Sequence, residues 1–332
     1  MTEILVLKEH LKGFYGKYEI YIISLAKFLL ALISLMIING KLGYMSKINS
    51  IMVVLVAALL CSFLPLNFMI FVAAAFVVLH LYAFSLECAV VVLALFLIMF
   101  LLYFRFASKD GIFVLLTPIC CALNIPFVMP ITAGLVGTPA SGISVGCGVI
   151  VYSIIQYVSE SVVALSSMDT ENAIQKYRYV VDGLLDNKTM LVMVFTFAVT
   201  VLVVYLVRRL SIDHAWTIAI VSGTVVAIAV LLIGDLMWDT NISIIAMILG
   251  AVVSMAIVKF LQFFVFNVDY SRTEYVQFED DEYYYYVKAI PKITVSKPEK
   301  TVKKIISQKK PNTHAPRTTG SAVKKTSKGE RK

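Results

Sequence analysis

Residues that could line a path for a solute are concentrated in one apolar stretch of the chain, residues 111–158. A proline removes a backbone hydrogen-bond donor and clashes with the preceding helical turn, so two straight helices are excluded here. Non-helical backbone persists inside a membrane only where protein covers it or where it lines a polar cavity. The sequence therefore predicts a Pro/Gly-broken or re-entrant segment, and its candidate solute path comprises Pro118, Asn124, Pro126, Pro130, Thr132, Thr138, Ser141 and Ser144.

Small residues in the same stretch favour close packing of helices. Gly142 and Gly146 form a GxxxG pattern, and Gly137 belongs to a series of small residues at every fourth position. Because small residues let helix backbones approach each other, we predict helix packing at these three glycines.

Patterns typical of catalysis are absent from the sequence or lie in an unsuitable context. The letters GISVG at residues 142–146 match GxSxG, with Ser144 as the nucleophile, but that motif needs a strand–turn–helix and a nearby base. We interpret the match as chance, because it coincides with the GxxxG pattern. The chain has no Walker A, HExxH or CxxC pattern. We therefore predict no catalytic residues, no cofactor, no metal site and no enzyme activity.

One histidine, His80, falls inside a predicted span. An ionisable residue within a membrane is a candidate for function. A hydrogen bond between helices is the other explanation, and we favour it.

The composition is typical of a protein that crosses a membrane several times. Hydrophobic residues make up 60% of the chain, charged residues 15%, and the mean hydropathy is +0.87, whereas soluble domains carry about 25% charged residues. We predict an all-α integral membrane protein of about eight spans, with ten as a variant. Outside the broken segment, the spans are expected at residues 20–38, 51–64, 68–84, 88–104, 190–207, 215–233 and 242–266.

The composition also divides the chain into segments. Residues 1–19 are predicted to be an amphipathic segment on the membrane surface, and residues 20–267 a polytopic domain. Within that domain, residues 159–188 are predicted to be amphipathic and extracytoplasmic. Residues 268–295 are predicted to form a cytoplasmic acidic, tyrosine-rich element that resembles a β-hairpin, and residues 296–332 a disordered basic tail.

Basic residues predict the orientation of the chain in the cell membrane. Arg208, Arg209 and the basic tail predict a cytoplasmic C-terminus, and lysines near residue 1 favour a cytoplasmic N-terminus. This arrangement requires residues 111–158 to cross an odd number of times, which one full helix and one re-entrant element would satisfy. If the stretch crosses twice, the protein has nine spans and its N-terminus lies outside.

The C-terminal region predicts two kinds of partner. From Lys288 onward the chain carries 14 basic and 2 acidic residues, a balance that attracts anionic lipid at about 1 kcal/mol per basic residue. Nucleic acid is not expected, because no motif that reads a groove accompanies the charge. The preceding acidic and aromatic residues could dock a protein by strand addition, and the candidates are Glu279, Asp280, Asp281, Glu282, Tyr283 and Tyr284.

Six strings of residues carry a resemblance to a known family. They are GFYGKYE (13–19), LLCSFLPLNFM (59–69), LYFRF (102–106), GLVGTPAS (134–141), YRYVVDGLL (177–185) and EYVQFEDDEYYYYVKAIPK (274–292). In these strings the chain resembles an uncharacterised family of bacterial multi-pass membrane proteins, found mainly in anaerobic Gram-positive lineages and often labelled permeases. The resemblance implies a multi-pass protein of the bacterial cell membrane and identifies no site residue.

Two functions follow as hypotheses. The first is a transport or permease component with a solute path near residues 118–144. The alternative is a non-catalytic envelope scaffold that docks a cytoplasmic partner through residues 270–295.

Overall fold

A computed structural model describes residues 2–167, 173–238, 240, 243–265, 274–279 and 282–289 of this chain. These residues form eleven helices and one pair of strands. In chain order the helices are α1 (Thr2–Lys41), α2 (Ile51–Phe63), α3 (Leu66–Phe84), α4 (Leu86–Phe106), α5 (Gly111–Ala122), α6 (Val128–Val136), α7 (Ser141–Ser167), α8 (Ala173–Leu185), α9 (Lys188–Arg208), α10 (Ala215–Trp238) and α11 (Ile244–Val265).

Length and hydropathy identify the helices that can cross a membrane. A span needs about 20 apolar residues, because a helix rises about 1.5 Å per residue through about 30 Å of hydrocarbon. Among the described residues, seven segments qualify, namely Gly13–Lys41, Leu66–Phe84, Leu86–Phe106, Ser141–Val162, Ile174–Arg208, Ala215–Trp238 and Ile244–Val265. Helices α2 and α5 are apolar but shorter. The prediction of an all-α multi-pass membrane protein is confirmed.

Within the predicted surface segment, residues 1–19, the described residues 2–19 form the first part of α1. The backbone leaves helical dihedral angles at Tyr18 (φ −118°, ψ 22°), so α1 is two helical pieces joined by a kink. The kink lies close to the boundary that the composition predicts at residue 19.

Polar contacts hold the break between α2 and α3 against α1. Pro65 cannot continue α2, so the carbonyl oxygen of Leu64 lacks a helical donor. Lys27 Nζ donates to this oxygen at 3.2 Å, and Ser62 Oγ donates to the carbonyl oxygen of Ser24 at 2.8 Å. Lys27 therefore caps the end of a neighbouring helix from within the apolar part of α1.

The proline-rich stretch is broken as predicted, and it contains a re-entrant element. Ser141 Oγ, at the start of α7, donates to Asp110 Oδ2, just before α5, at 2.5 Å. The start of α5 and the start of α7 therefore lie at the same end of the bundle, and α6 must return to the end from which α5 enters. We call α5, α6 and the turn between them the re-entrant hairpin (residues 111–136). Arg208 also lies at the end of the bundle where this hairpin begins, so we call it the Arg208 end.

The turn of the re-entrant hairpin satisfies its own backbone. Asn124 adopts a left-handed conformation (φ 59°) directly after α5. Its N–H donates to the carbonyl oxygen of Cys121 at 3.1 Å, and the N–H of Ile125 donates to that of Cys120 at 2.9 Å. These two bonds form a Schellman motif, and Pro126 then prevents the helix from continuing. Helix α5 is thus only about 18 Å long, which is shorter than the hydrocarbon core.

A glycine on α11 makes room for this turn. A Cβ atom built on Gly250 would lie 2.9 Å from the carbonyl oxygen of Asn124. Contact of this kind with backbone cannot be relieved by rotating a side chain. Gly250 therefore sets how closely the re-entrant hairpin approaches α11.

Two cores of buried side chains meet at α5 and α7. The first contains residues of α1–α4, α7 and α8, for example Leu35, Leu81 and Val92. The second is built around α6 and α9–α11, for example Phe197 and Ile220. Opposite faces of α5 and α7 contribute to both cores, so these helices join the two halves of the bundle.

Helix α8 lies within the predicted amphipathic segment 159–188, into which α7 also extends as far as Ser167. Val180 and Leu184 of α8 are buried in the first core. Tyr157 Oη of α7 donates to the carbonyl oxygen of Tyr179 at 3.2 Å. Gly183 faces the Tyr157 ring so closely that a Cβ atom there would clash with it.

The C-terminal element contains the predicted hairpin. Strands β1 (Glu274–Glu279) and β2 (Tyr284–Ala289) pair in antiparallel fashion, with Val276 opposite Val287 and Glu279 opposite Tyr284. The predictions for the basic tail, residues 296–332, fall outside the described residues.

The contact at Gly250 generates a prediction about stability. We expect Gly250→Ala to lower the free energy of unfolding by about 1–3 kcal/mol, because the new methyl group overlaps backbone of the Asn124 turn. The measurement is SDS titration of the purified protein in mixed micelles.

Gly146→Ala is the matched control. A Cβ atom on Gly146 would find its nearest neighbour, Val194 Cγ1, at 3.5 Å, an ordinary contact. We expect this variant to be neutral, or more stable by up to about 1 kcal/mol from helix propensity. Equal stability of the two variants would contradict the close approach at Gly250.

Candidate functional site

The eight residues of the predicted solute path lie in different parts of the re-entrant hairpin and of the start of α7. Pro118 lies inside α5, Asn124 and Pro126 form the turn, and Pro130 and Thr132 belong to α6. Thr138 is in the connection to α7, and Ser141 and Ser144 are in the first turns of α7. These residues therefore follow the chain down and up the hairpin and do not converge on one point.

Thr138 and Ser141 close the base of the re-entrant hairpin. Ser141 Oγ accepts from the N–H of Thr138 at 2.9 Å while it donates to Asp110 Oδ2. The Ser141 side chain is fully buried. One hydroxyl group thus links the residue before α5 to the start of α7.

Arg208 connects α9 to the end of α6, at the base of the re-entrant hairpin. Its guanidinium group donates to the carbonyl oxygen of Leu135, and through Nη2 to that of Gly137 at 2.7 Å. The last carbonyl groups of a helix have no partner within it, and a guanidinium fork can bind two of them together. Arg208 therefore caps α6 and fixes the hairpin to α9.

Sequence reasoning treated Arg208 only as a marker of orientation. Two features of the sequence could have indicated its capping role. Arg208 ends an apolar helix, and the same chain contains an apolar segment that prolines break and a glycine ends. Such a segment must find donors for its free carbonyl groups, and an adjacent arginine is the natural donor. The sequence does not show, however, that α9 and α6 are neighbours.

Two predicted path hydroxyls have no hydrogen-bond partner among the described residues. They are Thr132 Oγ1 on α6 and Ser144 Oγ on α7, and both atoms are buried. Buried hydroxyls are usually paired, so each of these two has the capacity for a further hydrogen bond. Ser144 Oγ is accordingly not paired with a general base within the described part of the chain.

The three predicted packing glycines have different surroundings. Gly137 forms the C-cap of α6, next to Ser141. Gly142 and Gly146 face α9 at ordinary van der Waals distances. Gly134 of α6 approaches α9 more closely than these two glycines, because a Cβ atom on it would lie 2.6 Å from Val204 Cβ.

A cavity of about 70 Å³ lies on the side of α5 that faces α1, α3, α4 and α7. Of the predicted path residues, Pro118 lines it, and Ala122 at the end of α5 does so as well. The other lining residues are Ser34, Ile37, Ile38, Lys41, Ile70, Ala73, Ala74, Val77, Phe96, Met99, Phe100, Tyr103, Val114, Leu115, Ile119, Cys147, Val151, Tyr152, Ile155 and Gln156.

His80 is fully buried and anchors the loop between α1 and α2. Its Nδ1 accepts from the N–H of Met45 at 3.2 Å, and its Nε2 lies 2.8 Å from Asn39 Oδ1. Since Nδ1 accepts and Nε2 faces an acceptor, the neutral tautomer with its proton on Nε2 satisfies both contacts. Asn39 in turn donates to the carbonyl oxygen of Ile48 at 3.0 Å. The contact between His80 of α3 and Asn39 of α1 is the hydrogen bond between helices that we favoured from the sequence.

The candidate docking residues surround the turn of the β-hairpin. Glu279 ends β1 and Tyr284 begins β2, and Glu282 and Tyr283 between them are exposed. Asp280 and Asp281 fall outside the described residues.

The described ranges contain no group of three or more His, Cys, Asp or Glu side chains that could hold a metal ion. All five cysteines are unpaired thiols and are buried.

These features define a class, a multi-pass α-helical membrane protein with a re-entrant hairpin and an adjacent cavity. Comparison of the chain with protein-family models, with curated proteins and with solved structures gave no match. The resemblance drawn from the six sequence strings therefore stays a prediction.

The cap on α6 generates a prediction. We expect Arg208→Gln to lower the free energy of unfolding by about 1–3 kcal/mol, because two partly buried carbonyl groups at the end of α6 lose their donor. Arg208→Lys should fall between this variant and the unsubstituted protein, because an ammonium group cannot reproduce the planar fork. The measurement is again SDS titration in mixed micelles.

The neighbouring arginine provides the control. Arg209 is exposed and donates to Tyr205 Oη at 2.9 Å. We expect Arg209→Gln to change the free energy of unfolding by no more than about 0.5 kcal/mol. If both glutamine variants lost the same stability, the role given to Arg208 would be wrong.

Proposed function

We propose that this multi-pass membrane protein is a transport component whose solute path runs beside the re-entrant hairpin, through the cavity that α5 helps to line. The observation that carries the proposal is the position of Pro118 and Ala122. Both belong to the hairpin, and both line the cavity. A displacement of the hairpin would therefore change the shape of the cavity directly.

The construction of the hairpin supports this role. Its polar anchors, the Arg208 and Ser141 contacts, lie at the Arg208 end, whereas its turn lies against α11 beside Gly250. A half-helix that ends within the membrane presents a dipole end there, as discontinuous helices in transporters do.

We further propose that the Arg208 end faces the cytoplasm. Arg105, Lys109, Arg208 and Arg209 lie at or beside helix termini at this end. Lys259 Nζ of α11 donates to Thr217 Oγ1, near the start of α10, at 2.5 Å, so α11 also finishes there. The chain continues from that point toward its basic tail, which the positive-inside rule assigns to the cytoplasm.

The transport proposal is tested by the access of water to the cavity. In a variant without native cysteines, we expect Ala122→Cys to react with a charged, membrane-impermeant methanethiosulfonate reagent from at least one side of sealed vesicles. A solute path must admit water to its walls at some stage of the transport cycle, and the reaction reports that access. The measurement is the labelled fraction by mass spectrometry.

Leu97→Cys is the control for this experiment. Leu97 lies on α4, is 57% exposed on the outer surface of the bundle, and does not line the cavity. A side chain that faces hydrocarbon should not react with a charged reagent. Absence of labelling at Ala122→Cys from both sides would refute the proposed path.

The β-hairpin favours the alternative function, a scaffold that binds a cytoplasmic protein. Val276 and Val287 form a cross-strand pair, yet they are 46% and 42% exposed. A two-stranded hairpin is marginally stable alone and gains stability when a partner strand or surface covers it. A scaffold role would use this surface and would not need the cavity.

A pair of point variants tests the alternative. We expect Val287→Glu to abolish co-purification of a stoichiometric partner with the full chain, because a buried charge would oppose docking. Tyr286→Ser, on the opposite face of β2, should leave the partner bound. A partner retained by Val287→Glu would contradict docking through this face.

A further inference from the structure

The walls of the cavity beside α5 are predominantly apolar. Apart from Ser34, Lys41, Tyr103, Gln156 and the phenol hydroxyl of Tyr152, its lining consists of aliphatic, aromatic and sulfur-containing groups and one proline. In this conformation a space with such walls excludes water, and it does not solvate ions or sugars. The ligand class that fits these walls is a hydrocarbon.

The polar residues divide between the two ends of the cavity. Ser34 Oγ donates to the carbonyl oxygen of Leu30 at 2.8 Å, and Tyr103 Oη donates to Asn67 Oδ1 at 2.7 Å. Tyr103 is only 2% exposed, so it closes the cavity toward the Arg208 end. Lys41 and Gln156 are exposed and lie at the other end, which is the mouth.

The dimensions of the cavity match one alkyl chain. On α7 the lining extends from Cys147 to Gln156, which is about 14 Å at 1.5 Å per residue. A volume of about 70 Å³ spread over this length leaves a narrow space, which has no room for two hydrocarbon chains side by side.

The mouth carries the charge that selects a headgroup. Lys41 is the one charged side chain among the lining residues, and it lies where an amphiphile would place its polar group. Ser159 Oγ of α7 donates to the carbonyl oxygen of Lys41 at 3.3 Å, which holds the two helices together at the mouth. Glu160 is close by on α7, where its carboxylate accepts from Gln156 Nε2 at 2.9 Å.

We propose that the cavity binds a fatty acid, with its single alkyl chain along α5 and α7 and its carboxylate at Lys41. The apolar walls recognise the alkyl chain, and the narrow cavity excludes lipids with two chains. The ammonium group of Lys41 recognises the carboxylate. This inference rests on the proposed transport function, to which it adds the substrate class. Binding is nevertheless measured separately from movement.

The test uses the full chain in nanodiscs of neutral phosphatidylcholine and radiolabelled dodecanoate as the probe. We expect saturable binding of one dodecanoate per chain by equilibrium dialysis. Dodecanol, which has the same chain without the charge, should bind about tenfold more weakly. Absence of saturable binding would overturn the proposal.

Two alanines of α3 supply a matched pair of variants for the chain site. Ala73 lines the cavity, whereas Ala75 is exposed and does not line it. We expect Ala73→Phe to fill the cavity and weaken dodecanoate binding at least tenfold, while Ala75→Phe leaves binding unchanged. Binding that survives in a folded Ala73→Phe variant would place the ligand elsewhere and overturn the proposal.

The charged residues at the mouth supply a second pair, which needs no change in the core. We expect Lys41→Gln to weaken dodecanoate binding about five- to tenfold and to leave dodecanol binding unchanged. Glu160→Gln removes a negative charge and should leave dodecanoate binding unchanged or stronger. Equal weakening of the acid and the alcohol by Lys41→Gln would overturn the assignment of the carboxylate to Lys41.

Three further outcomes distinguish the fatty-acid site from a phospholipid site and from the transport function. If native mass spectrometry finds a two-chain phospholipid that dodecanoate displaces and Ala73→Phe excludes, the fatty-acid assignment is overturned. If dodecanoate binds as expected but Ala122→Cys is never labelled by the charged reagent, the site stands and the transport function fails. Labelling without dodecanoate binding gives the reverse result.

Discussion

Backbone that turns around inside a membrane must satisfy its own hydrogen bonds, because hydrocarbon offers none. The re-entrant hairpin meets this constraint at both of its ends. At the turn, Asn124 and Ile125 donate back to the last carbonyl groups of α5. At the base, Arg208 caps α6, and Ser141 joins Asp110 to α7. The turn is thus closed by the hairpin's own backbone, whereas the base is closed by side chains of α7 and α9.

Close packing around the hairpin depends on glycines that face neighbouring helices. Gly134 faces Val204 of α9, and Gly250 of α11 faces the carbonyl oxygen of Asn124. Because lipid is as apolar as the side chains, association of helices relies on van der Waals contact, and small residues increase it. The tight contacts secure the hairpin on the side of α9 and α11, whereas the cavity lies on its other side.

This asymmetry bears on function. The hairpin has one packed face and one face that borders a cavity, so α5 is supported while Pro118 and Ala122 remain in contact with empty space. The hydroxyls that the sequence suggested for a hydrophilic path belong instead to the hairpin base or are buried beyond the cavity lining. The chemistry of the walls favours hydrocarbon, and among the described residues Lys41, at the mouth, is the only charged group of the lining.

Hydropathy and proline positions alone determined that this chain crosses a membrane many times and that residues 111–158 are broken, because span length and proline chemistry are local properties. The tertiary structure decided that the break is a hairpin that returns to the same end, that Arg208 caps it, and that residues as distant as Ser34, Tyr103 and Gln156 share one cavity. The physical reason lies in the solvent. In water a helix marks its buried face with apolar residues, whereas in lipid both faces are apolar, so the sequence carries no periodic signal for which side faces the protein.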